Sequence, residues 1–240
     1  MTHLHRAVLA LVGAAFVHTA FADEAAIRKN LAERLPNFPQ IDEVTKTAIP
    51  GLYEVRIGTD ILYADEEGNH LIEGHLIDTR TRSNLTEERV SKLTAIDFAK
   101  LPLKDAIVWK QGSGARKLAV FADPNCGYCK RFEQNLQQVK DVTVYTFLYP
   151  ILGQDSSDKA RDIWCAKDST QVWRDWMIKA SVPAPVTGKC DTSAIRRNVA
   201  LGTKYKMTGT PTLVFEDGKR VPGALNAAQV EQQLLASSKP

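Results

Sequence analysis

The 240-residue chain has no histidine after residue 104. That absence removes a Cys/His zinc set and a Cys–His hydrolase from the second half of the chain. No cysteine precedes residue 126, and all four cysteines lie between 126 and 190. Any thiol chemistry is therefore confined to the C-terminal half. Charge of one sign is also scarce. The formal net charge is +3, and short basic runs such as Arg196-Arg197 are isolated. This is solvated surface, and nucleic acid is not an expected partner. Beyond residue 22 no run is apolar enough to cross a bilayer, and no lipobox cysteine is present. Internal repeats and low-complexity tracts are missing as well. With 44% hydrophobic and 25% charged residues, the chain falls outside the disordered and fibrous classes.

What is present starts with an address. His3, His5 and Arg6 precede an apolar run from Ala7 to Val17, and Ala20-Phe21-Ala22 stands just before Asp23 and Glu24. This order reads as a secretory signal peptide over 1–22, cleaved after a small-x-small site. The apolar run is shorter than the roughly 20 residues a spanning helix needs. The mature protein is expected in an oxidising compartment, where disulfides form and persist.

Residues 23–83 read as a small α+β unit. A helix is predicted from Ala25 to Leu35, then β-like runs at Leu52–Ile57, Ile61–Ala64 and His70–Ile77. A unit this small buries little core, and its strand edges invite a partner, so dimerisation is its expected role. His70 and His75 lie on a predicted strand and read as surface residues rather than ligands. Residues 84–103 read as a linker helix, with Asn84 as N-cap and Pro102 as its stop. From 104 to 240 the pattern becomes α/β. Strands are predicted at Leu118–Ala122 and Val142–Leu148, and a hairpin at Thr212–Phe215 with Lys219–Val221 around Asp217-Gly218. Helices are predicted from Cys126 to Val139, over most of 155–205, and from Asn226 to Leu235.

The chemistry centres on Cys126-Gly127-Tyr128-Cys129, at a predicted strand-to-helix junction. A cysteine at a helix N-terminus meets free N–H groups and the positive end of the dipole, so its thiolate is favoured. That thiolate can attack a disulfide and form a mixed disulfide. Cys129, one turn on, can then attack that bond and release the substrate. Zinc knuckles repeat a tight pair, and here no second pair exists, so no metal is expected. Cys165 lies in the apolar Ile163-Trp164-Cys165-Ala166. A structural disulfide between Cys165 and Cys190 is the default reading, with a second redox relay as the alternative. Thr210-Pro211 precedes a strand. It is either an ordinary turn or a cis proline that exposes backbone groups to an extended substrate.

These residues resemble the thioredoxin superfamily and, within it, the DsbC/DsbG family of periplasmic thiol–disulfide proteins. The likeness is carried by Phe121-Ala122-Asp123 before Cys126-Gly127-Tyr128-Cys129, by Ile163 to Asp168, by Gly209-Thr210-Pro211 and by Val221-Pro222-Gly223. In the first unit it rests on Ile61-Leu62-Tyr63 with Gly68, His70 and Gly74. The resemblance implies an α+β N-terminal domain that forms a V-shaped homodimer, a linker helix, and an α/β thioredoxin fold with a helical insertion. It implies Cys126 as nucleophile and a cis Pro211. Substrate would bind around Thr210, Pro211, Gly127 and Tyr128. It implies no cofactor and a periplasmic location. The implied partners are misfolded disulfide-containing exported proteins and a membrane reductase of the DsbD type. One departure stands out. Thioredoxins carry a buried acid six residues before the first cysteine, and here that place holds Val120. Three activities remain open: a disulfide isomerase, a DsbG-like reductase of oxidised single cysteines, and a holdase chaperone. The DsbG branch usually has proline in place of Gly127.

Overall fold

The computed structural model describes residues 19–238, with side chains described from Asp23 onward. The signal-peptide reading of 1–22 therefore lies outside the described residues, apart from the backbone of 19–22. Among the described residues no helix is long and apolar enough to cross a membrane. The described residues divide into two compact units, one up to Val90 and one from Ser91 onward.

In the first unit, helix α1 (Thr19–Arg34) precedes a four-stranded antiparallel meander. Its strands are β1 (Glu43–Lys46), β2 (Leu52–Ile57), β3 (Asp60–Asp65) and β4 (Leu71–Glu73), in that order across the sheet. Alternation explains the packing. Tyr53 and Val55 on β2 and Ala64 on β3 join Ile27 and Leu31 of α1 in one core. Gly58, at φ 61°, supplies the left-handed residue that the two-residue β2–β3 turn needs.

Two sequence expectations change here. The run 70–77 is not one strand. It breaks into β4 and the short β5 (Ile77–Asp78), which pairs with β6 (Ser83–Asn84). The cause is a competing set of partners: the Leu76 N–H donates to Thr86 Oγ1 at 2.8 Å, and the Leu85 N–H donates to the Leu76 carbonyl. The helix expected up to residue 101 also stops early. Helix α2 is Leu85–Leu93, with the Asn84 side chain accepting from the Glu87 N–H at 3.1 Å. Beyond it the fully buried Ile96 donates its N–H to the Gly218 carbonyl at 2.9 Å. That contact, far away in sequence, overrides local helix propensity.

The second unit is built on a five-stranded sheet ordered β11-β10-β8-β9-β7. Its members are β7 (Ile107–Gln111), β8 (Arg116–Ala122), β9 (Val142–Leu148), β10 (Thr212–Phe215) and β11 (Arg220–Pro222). Strand β7 is an addition to the sequence reading. It is a short edge strand whose outward residues, such as Val108, leave a weak pattern. Only β8 and β9 run parallel. Both faces of β8 are covered, which is why it reads as an unbroken apolar run. Leu118 and Val120 face one core, beneath helices α3 (Gly127–Leu136), α5 (Ser169–Lys179) and α7 (Ala227–Ser237). Ala119 and Phe121 face the other, with Phe147, Tyr149 and Met207.

Helices α4 (Gln154–Trp164), α5 and α6 (Ser193–Lys204) form the insertion between β9 and β10. The disulfide Cys165–Cys190 ties the end of α4 to the segment before α6, with 6.0 Å between the Cα atoms. Trp164 Nε1 donates to the Asp191 carbonyl at 3.0 Å and holds the same junction. The bridge closes a loop of sequence separation 25. Loop-closure entropy then predicts a loss of about 3.5 kcal/mol in a Cys165→Ala/Cys190→Ala variant. Urea denaturation without reductant measures it, and an unchanged midpoint would contradict it.

Candidate active site

Three loops meet at one end of the second sheet, and the topology puts them there. Strands β8 and β9 are parallel with Ala122 opposite Leu148, so the chain after each leaves at the same end. Strand β10 runs antiparallel to β8 with Thr212 opposite Phe121, so the loop before it starts at that end too. These loops, with the first turn of α3, carry Asp123 to Tyr128, Pro150 to Gly153, and Met207 to Pro211.

Asp123 organises the first two. Its side chain is fully buried, and it accepts four hydrogen bonds. Oδ1 takes the Asn125 N–H at 2.7 Å and the Ser156 hydroxyl at 2.7 Å. Oδ2 takes the N–H groups of Ile151 at 2.8 Å and Leu152 at 2.9 Å. Its backbone carbonyl accepts from the Cys126 N–H at 3.1 Å. With four donors on its two oxygens, this side chain meets the requirement that a buried polar group be hydrogen-bonded. Trp176 fixes the next residue, donating Nε1 to the Pro124 carbonyl at 2.6 Å. The Lys130 Nζ lies 3.6 Å from the centre of the same indole.

The cysteine pair follows directly. Cys126 is the N-cap of α3, and its sulfur accepts from the Cys129 N–H at 3.3 Å. As a thiol it donates to the Thr210 carbonyl at 3.2 Å. Cys126 is 6% exposed and Cys129 1%. Cys126 is thus the more accessible of the two, although it is itself buried, unlike the exposed thiol its helix-start position suggests. Its pKa falls to about 5. The Cys129 thiol's hydrogen bond contributes most, and the Thr210 hydroxyl and the N–H groups of Cys129 and Tyr128 add to it. Burial opposes the shift, as does the Thr210 carbonyl, which can only accept. Cys129 moves the other way. Burial pushes its thiol far up, and the hydrogen bond and charge of Cys126 add to that.

The expected substrate-binding residues also gather here. The Thr210–Pro211 peptide bond is cis, and Pro211 is buried. Tyr128 projects from the first turn of α3 with 63% exposure, and Gly127 has open space where a side chain would stand. Cys165 and Cys190 stand apart as a bridge in the insertion. No group of three or more His, Cys, Asp or Glu side chains among the described residues is placed to hold a metal ion.

Two buried acids close to the cysteine pair in the fold escape sequence reasoning. One is the Asp123 hub. Its only sequence trace is an acid directly after an apolar strand. The other is Glu133, 2% exposed, one turn beyond Cys129 on α3. Trp173 Nε1 donates to its Oε1 at 2.7 Å, while Oε2 has no partner among the described residues. Val120, in the place of the thioredoxin acid, is an apolar core residue. Glu133 is therefore the buried carboxyl of this helix, and burial pushes its pKa up to about 7. A carboxyl raised from 4.5 to about 7 costs the fold stability as pH rises between those values, about 3 kcal/mol in all. Glu133→Gln keeps an acceptor for Trp173 and removes that titration. Its stability relative to the native chain should therefore rise by about 3 kcal/mol from pH 4 to pH 8. Denaturant melts at the two values read this directly, and a pH-independent difference would refute it.

Comparison with known proteins places this geometry. A family model described as a disulfide bond isomerase protein N-terminal domain matches residues 18–87. One described as a thioredoxin-like domain matches 103–237. The "Probable thiol:disulfide interchange protein DsbC" of Bordetella parapertussis is 45% identical over 209 residues, covering 87% of this chain and 73% of the relative. The "Thiol:disulfide interchange protein DsbC" of Escherichia coli K12 is 31% identical over 217 residues, covering 88% of this chain and 86% of the relative. The chain belongs to the DsbC family. A crystal structure of a disulfide interchange protein from Neisseria gonorrhoeae is similar with a TM-score of 0.55 and 37% identity. It matches over its whole length and covers 58% of this chain. Membership of the DsbC family accounts for both halves of the chain: an α+β N-terminal domain, then a thioredoxin-like domain that carries the thiol pair.

Proposed function

We propose that this DsbC-family protein is a periplasmic disulfide isomerase that works as a homodimer, with Cys126 as nucleophile. The observation that carries the reading is the opposed pair at the start of α3. One sulfur caps the helix with its pKa lowered to about 5, and its neighbour is buried with its pKa raised. The Cys126 thiolate attacks one sulfur of a wrong substrate disulfide. A Cys126–substrate bond forms, the substrate's own S–S bond breaks, and the second substrate sulfur leaves as thiolate. In isomerisation another substrate thiolate attacks the bonded substrate sulfur and returns Cys126 as thiolate, so no net electrons move. In reduction Cys129 attacks Cys126 instead, losing its proton. The substrate leaves as a dithiol, and Cys126–Cys129 is left oxidised. A membrane reductase of the DsbD type then supplies two electrons and two protons. Thr210, cis-Pro211, Gly127 and Tyr128 line the approach to the sulfur. The high pKa of Cys129 delays the reductive exit, which leaves the mixed disulfide time to rearrange.

The N-terminal domain over 23–83 supplies the dimer, and 84–103 connects it to the catalytic domain over 104–240. Two active sites facing one substrate raise retention through effective concentration. Comparing the mature chain with a chain from Leu103 onward tests this. Ultracentrifugation should show dimer and monomer. Recovery of scrambled ribonuclease should fall at least about tenfold in the shorter chain, while reduction of a small disulfide persists. Equal recovery from both would overturn the division of labour.

A further inference from the structure

Two ammonium groups share one indole beside the reactive loop. The Lys130 Nζ lies 3.6 Å and the Lys159 Nζ 5.4 Å from the centre of the Trp176 ring. That ring is pinned to the loop, because its Nε1 donates to the carbonyl of Pro124, two residues before Cys126. Lys130 is anchored to the same loop by its own backbone, whose N–H donates to the Cys126 carbonyl at 3.1 Å. Side chains on a helix lean toward its N-terminus, which brings this ammonium back to the cysteine end of α3. Lys159 has an acid of its own. It pairs with Asp155, which also accepts from Asn125 Nδ2 at 2.6 Å. Lys130 is half-buried, and among the described residues no carboxylate pairs with it. Burial and the neighbouring Lys159 ammonium both hold its pKa below the ordinary lysine value. The ring face attracts the cation and fixes its place, but it carries no net charge. Two cations and one carboxylate therefore stand together, and the half-buried cation is the one without an anion.

We propose that Lys130, with Lys159 and Trp176, binds an aspartate or glutamate side chain of the substrate close to its reacting cysteine. This deepens the isomerase reading and rests on it. The ligand class follows from the substrate, since a protein chain offers its anions as Asp and Glu carboxylates. An ammonium has three donors, so Lys159 keeps some to spare beside Asp155. Both cations at the ring can then donate to the incoming carboxylate. The reach is sufficient. Lys130 stands about 6 Å along the helix from Cys126, and an extended substrate advances about 3.4 Å per residue. A carboxylate two or three residues from the substrate cysteine therefore meets the site. The site selects among disulfides by the charge beside them, which the cysteine pair alone does not do.

The test uses the reduced full mature chain and three symmetric disulfide peptides with blocked termini. They are identical except for glutamate, serine or lysine two residues from the cysteine. Each second-order rate of reduction is divided by that of dithiothreitol with the same peptide, which removes the peptide's own reactivity. The native chain should favour glutamate over serine by about fivefold, and serine over lysine. Lys130→Gln should bring the three rates within about twofold of one another. Lys130→Arg keeps a cation on Trp176 and should keep the preference, while Lys130→Glu should reverse it. Lys219→Gln removes the same charge beyond the far end of β10 and should change nothing. No preference in the native chain, or an undiminished one in Lys130→Gln, overturns the proposal. An equal loss in Lys219→Gln overturns it too, assigning the preference to overall charge. The native chain also gives a reading that needs no variant: in roughly 0.5 M salt its glutamate preference should fall to about twofold or less. A preference that persists there overturns the proposal. Inactivity of the native chain toward all three peptides would instead strike the thiol–disulfide reading itself, so the two failures are distinguishable.

Discussion

Cys126→Ser is expected to reduce both disulfide reduction and isomerisation to the uncatalysed rate. The loss should be complete because, in the proposed mechanism, every route begins with a bond between the Cys126 sulfur and a substrate sulfur. A serine hydroxyl at the α3 N-cap keeps the capping hydrogen bond to the Cys129 N–H but cannot make that bond. Cys129 cannot substitute for it. It is 1% exposed, and its thiol is held far above the range in which a thiolate forms. Cys129→Ser should behave differently. Reduction should be lost, because no internal sulfur can close on Cys126. Part of the isomerisation should survive, because there the leaving thiolate comes from the substrate. Scrambled-ribonuclease recovery and reduction of a small disulfide, measured side by side on the two variants, check this. Retained isomerisation by Cys126→Ser would remove Cys126 from the mechanism.

The second large effect is on the pH dependence of the reduced protein. Cys126 should alkylate with a midpoint near pH 5, about four units below the ordinary thiol value of 9.0. At pH 7 the thiolate then outweighs the thiol by about 100 to 1, where an unperturbed thiol is about 1% ionised. The midpoint is the quantity to read. The plateau rate is lowered both by burial and by the weaker nucleophilicity of a low-pKa thiolate. The same shift bears on stability. A thiol whose pKa is depressed on folding stabilises the folded state above its unfolded value, and loses that contribution as pH falls through the folded one. For Cys126 this is about 3 kcal/mol at pH 7, gone below about pH 5. Oxidation to Cys126–Cys129 removes the thiolate and its contribution, which should shift the pair toward the reduced form. A midpoint at or above pH 8 would contradict the geometry of the α3 cap.

The sequence carried much of this architecture because its elements are written locally. Strands β9 and β10 match their apolar runs residue for residue. The capping pattern at Asn226 gives a complete capping box with Gln229. The C-x-x-C pair falls at a strand-to-helix junction, and the junction sets its chemistry. What the sequence hid depends on partners distant along the chain. Asp123 reads as one acid after an apolar strand, and its donors at 151, 152 and 156 appear only when β8 and β9 pair. Glu133 sits on the same helix stretch as Phe132 and Leu136, and its burial follows from Trp173, 40 residues away. The stop of α2 at Leu93 needs Gly218 to be in place. For Thr210-Pro211 the residues alone leave cis and trans equally open, and the surrounding fold selects one.

The most direct test of the central claim is to trap the mixed disulfide. In Cys129→Ser the serine hydroxyl can still donate to the Cys126 sulfur, so the thiolate should remain low in pKa and reactive, but no internal thiol can release the substrate. The reduced mature variant is mixed with a scrambled, cysteine-containing substrate, quenched with acid and digested without reductant. Mass mapping then shows which cysteine carries the adduct. The expected result is substrate joined to Cys126, with the Cys165–Cys190 bridge intact. An adduct on Cys165 or Cys190, or no adduct while interchange continues, would contradict it.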